Sequence, residues 1–325
     1  MSADFPGKPL SAKAQRRLEV VTSRAYRLHE DEEPGEGIRR AARGRVDTAV
    51  EQLRHEAGED LATAVHDTRK DMKKLRSLLR LVRDELGRTR YRAEGARYRD
   101  AARLLSGARD AEVKLKTLDG LRERYPDEAP PVEQLREALE EERNRLAGEA
   151  EDSEVRERLE EVAEAIEGGG ADVEAWEFPS KGFDLMRPGL EREYRRGRRA
   201  LRAMPEDPPA EAVHEWRKRV KDLWYHLRLL HEVWPATMKG AADEAHALSD
   251  LLGDHHDLTV LIDDAREQAP EDPGLAELTA LAERRQAELL AEALPMGERL
   301  YAEKPRRFGA RLARYWQASR SADAS

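Results

Sequence analysis

Along most of the chain, apolar residues return every three or four positions with charged residues between them, the period of amphipathic helices rather than strands. The runs are rich in Ala, Leu, Glu and Arg and poor in β-branched residues, which favours helix further. Helical runs are expected over residues 38–57, 61–86 with a stop at Gly87, and 90–105. The pair Pro130-Pro131 opens a strongly charged run that continues to Glu167. A second series is expected over 187–204, 209–233, 237–252, 259–268, 274–294 and 304–316. Residues 18–29 fit a strand, a helix or an ordered arm equally well. The fold class is all-α.

The triplet Gly168-Gly169-Gly170 is the most conspicuous boundary, and it predicts a flexible joint near the middle of the chain. The expected division is an N-terminal arm over 1–34, a first helical bundle over 35–167, a glycine-rich linker over 168–180, a second bundle over 181–318 and a frayed tail over 319–325.

The two halves repeat each other. Val65-His66-Asp67-Thr68-Arg69-Lys70 returns as Val213-His214-Glu215-Trp216-Arg217-Lys218, and the match continues at Lys73/Lys221, Leu75/Leu223, Arg80/Arg228 and Leu81/Leu229. Downstream, the block from Leu104 through Arg109-Asp110 to Val113 aligns with the block from Leu251 through His256-Asp257 to Val260. Upstream, Arg43-Gly44-Arg45 aligns with Arg196-Gly197-Arg198. Three blocks in one order at a nearly constant offset point to a tandem duplication.

At 100° per residue, His66, Arg69, Lys70, Lys73 and Arg80 share one arc of their helix, with Val65, Met72, Leu75, Leu79 and Val82 opposite. The second copy sets His214, Arg217, Lys218, Lys221 and Arg228 against Val213, Val220, Leu223, Leu227 and Leu230. A solvated basic face is the plain explanation of one such helix. Its recurrence at matched positions, with few acidic residues on the arc, argues for an anion instead. Seven arginines between 187 and 202, among them Arg195, Arg196 and Arg199, face only two glutamates. Arg39, Arg40, Arg43 and Arg45 form the matching run in the first half, and Lys304, Arg306 and Arg307 open the last helix.

Composition then changes the picture in one respect. The net charge is −9, yet residues 133–167 alone hold fourteen acidic residues against five arginines, so the rest of the chain is close to balanced and locally basic. With no cysteine there are no disulfides, thiolate metal sites or Cys nucleophile. With no long apolar run, no membrane span is expected, and the N-terminus lacks a hydrophobic signal core, so a cytoplasmic location is expected. Clustered Lys and Arg repel one another unless an anion neutralises them, and the planar fork of Arg suits phosphate oxygens. From the residues themselves the ligand is a phosphate-rich or sulfated polymer.

These residues resemble the conserved histidine α-helical domain, the CHAD family. The resemblance rests on His66, Arg69, Lys73, Lys74, Leu75 and Arg76 in the leading helix, on the echo at His214, on Arg109-Asp110, and on Leu300-Tyr301-Ala302-Glu303-Lys304-Pro305. It spans residues 35–316. It implies two antiparallel four-helix bundles related by a pseudo-two-fold axis, with a basic cleft or channel between them. It also implies inorganic polyphosphate as ligand, held by the residues of both arcs with Arg76, Arg39, Arg43, Arg109, Arg195, Arg196, Arg199, His256, Lys304 and Arg307. Polyphosphate-metabolising enzymes or granule proteins become candidate partners, and polyphosphate granules a candidate place. A CYTH-type domain, often adjacent in the family, would need long alternating strands, and none is expected here. Asp222 and Trp224 stand where the first copy has Lys74 and Arg76, so the second helix is less basic; Trp224 is expected to pack, and His256 to tune affinity between pH 5 and 8.

Other classes fit less well. His255-His256-Asp257 with Asp250 and Asp254 offers metal ligands, but neighbours on a helix point about 100° apart, and no metal or other cofactor is expected. Neither a phosphate-binding glycine loop nor a nucleophile elbow occurs, so no catalytic residue and no phosphohydrolase activity are expected. A nucleic-acid binder shares the phosphate chemistry, and Tyr225 is its one well-placed stacking aromatic. A helical adaptor could use the acidic run but would leave both basic arcs unexplained.

Overall fold

The structure is a computed structural model that describes residues 24–105, 110–148 and 152–322. The described residues form helices and turns, with no strand among them. The helices are α1 (Pro34–Glu51), α2 (Leu61–Leu81), α3 (Arg83–Leu104), α4 (Asp110–Arg124), α5 (Glu133–Gly148) and α6 (Ser153–Glu174). They continue as α7 (Arg187–Arg202), α8 (Ala210–Leu229), α9 (Pro235–Gln268), α10 (Leu275–Leu300) and α11 (Pro305–Ala322). One π-helical turn, Gln52–Glu56, extends α1.

Local chemistry sets several boundaries. The Asp60 carboxylate accepts the Thr63 N–H at 2.9 Å and caps α2; Asp152 accepts the Glu154 N–H at 2.8 Å and caps α6. Proline stands in the first turn of α1, α7 and α9, where its missing N–H costs nothing. Gly87, at φ 73°, kinks α3 near its start, at the expected stop.

The glycine triplet is not the joint that its composition predicts. It lies inside α6, and the connection to the second half begins only after Glu174. A Cβ on Gly169 would stand 2.5 Å from the Tyr98 hydroxyl, and one on Gly170 would stand 3.1 Å from Val46. The triplet is there so that α1 and α3 can pack against α6, rather than to make the chain supple. The break expected between 252 and 259 is also absent, since α9 runs through it as one helix.

Nor do the buried residues divide at residues 168–180. One apolar cluster joins Ile38, Val46, Leu75 and Leu79 from before the triplet to Trp216, Val220, Leu223 and Leu248 from after it. A second, smaller cluster draws Leu118 of α4 and Leu135 of α5 against Leu261 of α9 and Leu278 of α10. All ten residues of the two predicted apolar stripes on α2 and α8 and their C-caps are buried, from Val65 to Val82 and from Val213 to Leu230. Each fully buried Leu or Val side chain contributes about 1.5–3 kcal/mol relative to exposure, which fixes how α2 and α8 are rotated and hence where their charged arcs point.

The arm also has structure. In residues 24–33, Tyr26 and Leu28 are buried, and the Leu28 N–H donates to the Leu229 carbonyl at 2.8 Å. Residues 18–23 of the segment left open above, and 323–325 of the expected tail, lie outside the described residues.

Candidate functional site

Helices α2 and α8 meet through polar groups that the sequence spaces along both. His226 Nε2 lies 3.0 Å from the Ser77 carbonyl, and Arg80 donates to Asp222 at 3.0 Å. With the Leu/Val stripes turned into the core, the charged arcs of the two helices converge on the middle of α9.

At the convergence, Lys73 of α2 lies beside Lys221 and Arg217 of α8 and Arg69 of its own helix, with the Asp257 carboxylate as the main opposing charge. Lys73 reaches solvent but is crowded by protein atoms. Desolvation first, then Lys221 and the arginines, bring its amine down to about 7. Lys221 is brought down to about 8 by burial and by Arg217, with Asp250 and Asp257 opposing and Lys70 reinforcing the fall. Burial is the larger cause for both lysines, and the neighbouring cations add to it, so four basic side chains are crowded together here.

The histidines form the adjoining wall. The His214 and His256 rings lie 4.1 Å apart at 35°. Burial, then His214 and Arg217, hold His256 down to about 4, so it is neutral in the free protein over the range in which it was expected to titrate. His214 is lowered by burial and by Lys218 and Arg217. His214 Nδ1 and Arg217 Nε are buried without a hydrogen-bond partner. Buried polar atoms left open in this way are costly unless a ligand takes them. The Arg217 guanidinium lies against Gly253 of α9, where a Cβ would stand 3.4 Å from it, in ordinary contact.

Of the predicted residues, the structure therefore brings together Arg69, Lys70, Lys73, His214, Arg217, Lys218, Lys221 and His256, with His66 on the same half-buried arc of α2. Acidic partners are less scarce than the arc alone suggests. Lys70 pairs with Asp67 at 2.8 Å, and Lys218 pairs with Glu215 at the matched position.

The other predicted residues go elsewhere. Arg80 is committed to buried Asp222, and Arg76 lies beside Arg80, Arg99 and Tyr91, further along α2. Arg228 sits over the Trp224 ring at 5.2 Å. Arg39 donates to the Trp176 carbonyl at 2.9 Å, and Arg43 pairs with Asp47 at 2.9 Å. Arg195, Arg196 and Arg199 are exposed on α7, where Arg196 pairs with Glu193 at 3.1 Å. Lys304 and Arg307 are exposed around the start of α11. Arg109 lies outside the described residues. A helical wheel places residues around an axis but does not say which neighbouring helix covers each sector, so these runs of arginine were not separable in sequence from the cluster around Lys73 and Lys221.

Two aromatics resolve as well. Trp224 packs, stacked on Tyr225 at 4.8 Å. Tyr225, the candidate stacking residue for a nucleic acid, is 3% exposed and meets Tyr26 edge-on, so it offers no face to a base. Among the described residues no group of three His, Asp or Glu is arranged to hold a metal, and His255 is buried in the core. Among them, too, no helix is long and apolar enough to cross a membrane.

Comparison with known proteins places this geometry in context. The model of the CHAD domain family matches residues 40–266. The crystal structure of the CHAD domain from the plant Ricinus communis superposes with a TM-score of 0.57 at 17% identity, covering 86% of this chain and 95% of that one. At that identity the likeness speaks for the fold. No curated protein matches the chain.

Proposed function

The chain belongs to the CHAD domain family, and from that premise we propose that it binds inorganic polyphosphate in the cleft of α2, α8 and α9, without catalysing its breakdown. The observation that carries this reading is the crowding of Lys73 and Lys221 with Arg69 and Arg217 across two helices. Such an arrangement repels itself when empty and is relieved when a line of phosphates enters. Arg217 and Arg69 would take phosphate oxygens through their forked N–H groups, the lysines as point charges. His214 Nδ1 is a further open position. Recognition is then electrostatic, and each neutralised phosphate releases counterions.

The family resemblance supports polyphosphate over other polyanions, and the burial of Tyr225 removes the stacking group that a single-stranded nucleic acid would use. A module of this kind would bring a partner, such as a polyphosphate-metabolising enzyme or a granule protein, to the polymer in the cytoplasm.

The test is a competition titration at about 150 mM salt, near physiological ionic strength. Labelled long-chain polyphosphate is challenged with orthophosphate, triphosphate, heparin, and single- and double-stranded DNA. Displacement by long polyphosphate alone is expected. Equal displacement by DNA or heparin would reduce the function to a general polyanion cleft, and absence of binding would leave a helical adaptor.

A further inference from the structure

A cavity of about 1010 Å³ opens beside Trp224, walled by the arm, α1, α2, α8 and the start of α9. Its cations are Arg24 and Arg27 of the arm, Arg45 of α1, Lys74 of α2, Arg228 of α8 and Lys239 of α9. Arg24 and Arg27 lie before the part of the chain that matches the family model.

The pocket holds more positive charge than its carboxylates answer. Arg45 and Lys74 share the single carboxylate of Asp71, and Arg228 has the Trp224 ring. Arg24, Arg27 and Lys239 pair with Glu51, Glu232 and Asp243, each at least partly open to solvent. The Arg45 side chain is 12% exposed, and its Nε is buried without a partner. The arm is held against this wall by one backbone hydrogen bond and by arginine side chains of α1. Its Leu28 N–H meets the Leu229 carbonyl, and Arg45 and Arg40 hold the carbonyls of Arg24 and Arg27.

The pocket and the cleft also share a wall. Lys221 Nζ is 6.0 Å from the centre of the Trp224 ring, and the Arg228 guanidinium is 5.2 Å from it. Arg217, Lys221, Trp224 and Arg228 succeed one another at helical spacing along one side of α8, roughly 16 Å from first to last at 1.5 Å per residue. Short phosphate chains can fill the Lys73–Lys221 end alone, whereas a longer chain would reach the second group of cations.

We infer that this arm-walled pocket is a second polyphosphate subsite, in line with the cleft, which adds affinity only for chains long enough to pass Trp224. The inference rests on the reading of the cleft given above. It gives the arm a function of its own, contributing to chain-length preference.

The experiment compares triphosphate and long-chain polyphosphate on the full chain, for the wild type, Arg24→Ala/Lys239→Ala and Arg217→Ala, with melting curves to check folding. The pocket variant should bind long chains on the order of tenfold more weakly, with a salt slope shallower by about 1.4, or 0.7 for each lost contact, and triphosphate unchanged. Lys239→Gln alone, at a side chain 67% exposed, should show about half the loss of slope, about 0.7. If the pocket variant binds both ligands like the wild type while Arg217→Ala weakens both, the second subsite is refuted and the cleft stands. Equal weakening of both ligands by the pocket variant would also refute it, because the pocket would then belong to the primary site. If Arg217→Ala has no effect on either ligand, the cleft reading fails and this inference with it.

Discussion

Arg80 on α2 donates to Asp222 on α8 across 3.0 Å, and Asp222 occupies the position at which the first copy of the repeat carries Lys74. The carboxylate is 5% exposed and also takes Arg219 of its own helix at 3.3 Å. The departure from the repeat is therefore the counter-charge that lets two basic helices pack side by side. Removing one member of a buried pair leaves the other uncompensated, so Asp222→Ala is expected to cost about 3–5 kcal/mol of stability. Denaturant unfolding measures it, and a loss below 1 kcal/mol would show that the pair is not what joins the helices.

Arg217 and Arg69 are expected to act on binding and not on folding. Arg217→Ala should weaken polyphosphate binding and make the salt slope shallower by about 0.7, the increment for one phosphate on a single-stranded polymer. Arg69→Ala should do the same. Titrations at four or more salt concentrations read the slope. A slope unchanged in both variants would mean that the anion lies on another face.

The sensitivity to pH should come from lysine. With folded-state values of about 7 for Lys73 and about 8 for Lys221, both below the ordinary lysine value, the unfolded chain binds more protons than the folded one above these values. Stability of the free protein should therefore rise with pH from about 7 toward the unfolded lysine value near 10.4. Polyphosphate binding has the opposite sign, because the anion favours the charged amines. Affinity should fall between pH 6.5 and 9, by up to about tenfold per pH unit for each group once its value is passed. Lys73→Arg/Lys221→Arg should flatten the dependence, since guanidinium stays protonated. A dependence that persists unchanged in that variant, or one centred below pH 6, would assign it to a histidine instead.

The contrast with His256 shows how far the sequence reaches. Periodicity determined which sides of α2 and α8 are apolar, and every residue of both stripes is buried. The repeat located the charged arcs, and eight of the named residues come together where α2 and α8 meet α9. What a single helix cannot reveal is its neighbours. An isolated imidazole titrates near 6.5, but burial, and after it His214 and Arg217, takes His256 to about 4. Likewise Arg39 and Arg80 look like ligand residues until the structure supplies Trp176 and Asp222 as partners. The sequence alone leaves the arm open, because its place is set by one backbone hydrogen bond and by the Arg40 and Arg45 side chains of α1.

The two apolar stripes carry equal expectations. Leu75 and Leu223 are 0% and 2% exposed at matched positions, and truncation of either to Ala should cost on the order of 2–5 kcal/mol by opening a cavity. Because one apolar cluster contains both, each variant should unfold in a single transition with the rest of that cluster. Calorimetry or denaturant unfolding with two probes checks this. A neutral result for either Leu would mean that its helix is rotated from the orientation described.

Gly169 offers the sharpest test of the packing around α6. As a supple joint, the triplet would tolerate alanine and even gain stability, because alanine restricts the unfolded chain and favours helix. As a packing site it cannot, since a Cβ at Gly169 would fall 2.5 Å from the buried Tyr98 hydroxyl and 3.0 Å from its ring carbon. Tyr98 is fully buried on α3, so making room for the Cβ would force α3 and α6 apart, and Gly169→Ala should destabilise by about 1–3 kcal/mol. Gly168, with open space around its Cβ position, is the internal control, and Gly168→Ala should be neutral or stabilising by up to about 1 kcal/mol. Equal effects of the two substitutions on the unfolding midpoint would overturn the close approach of α3 to α6. Opposite signs would locate it at Gly169.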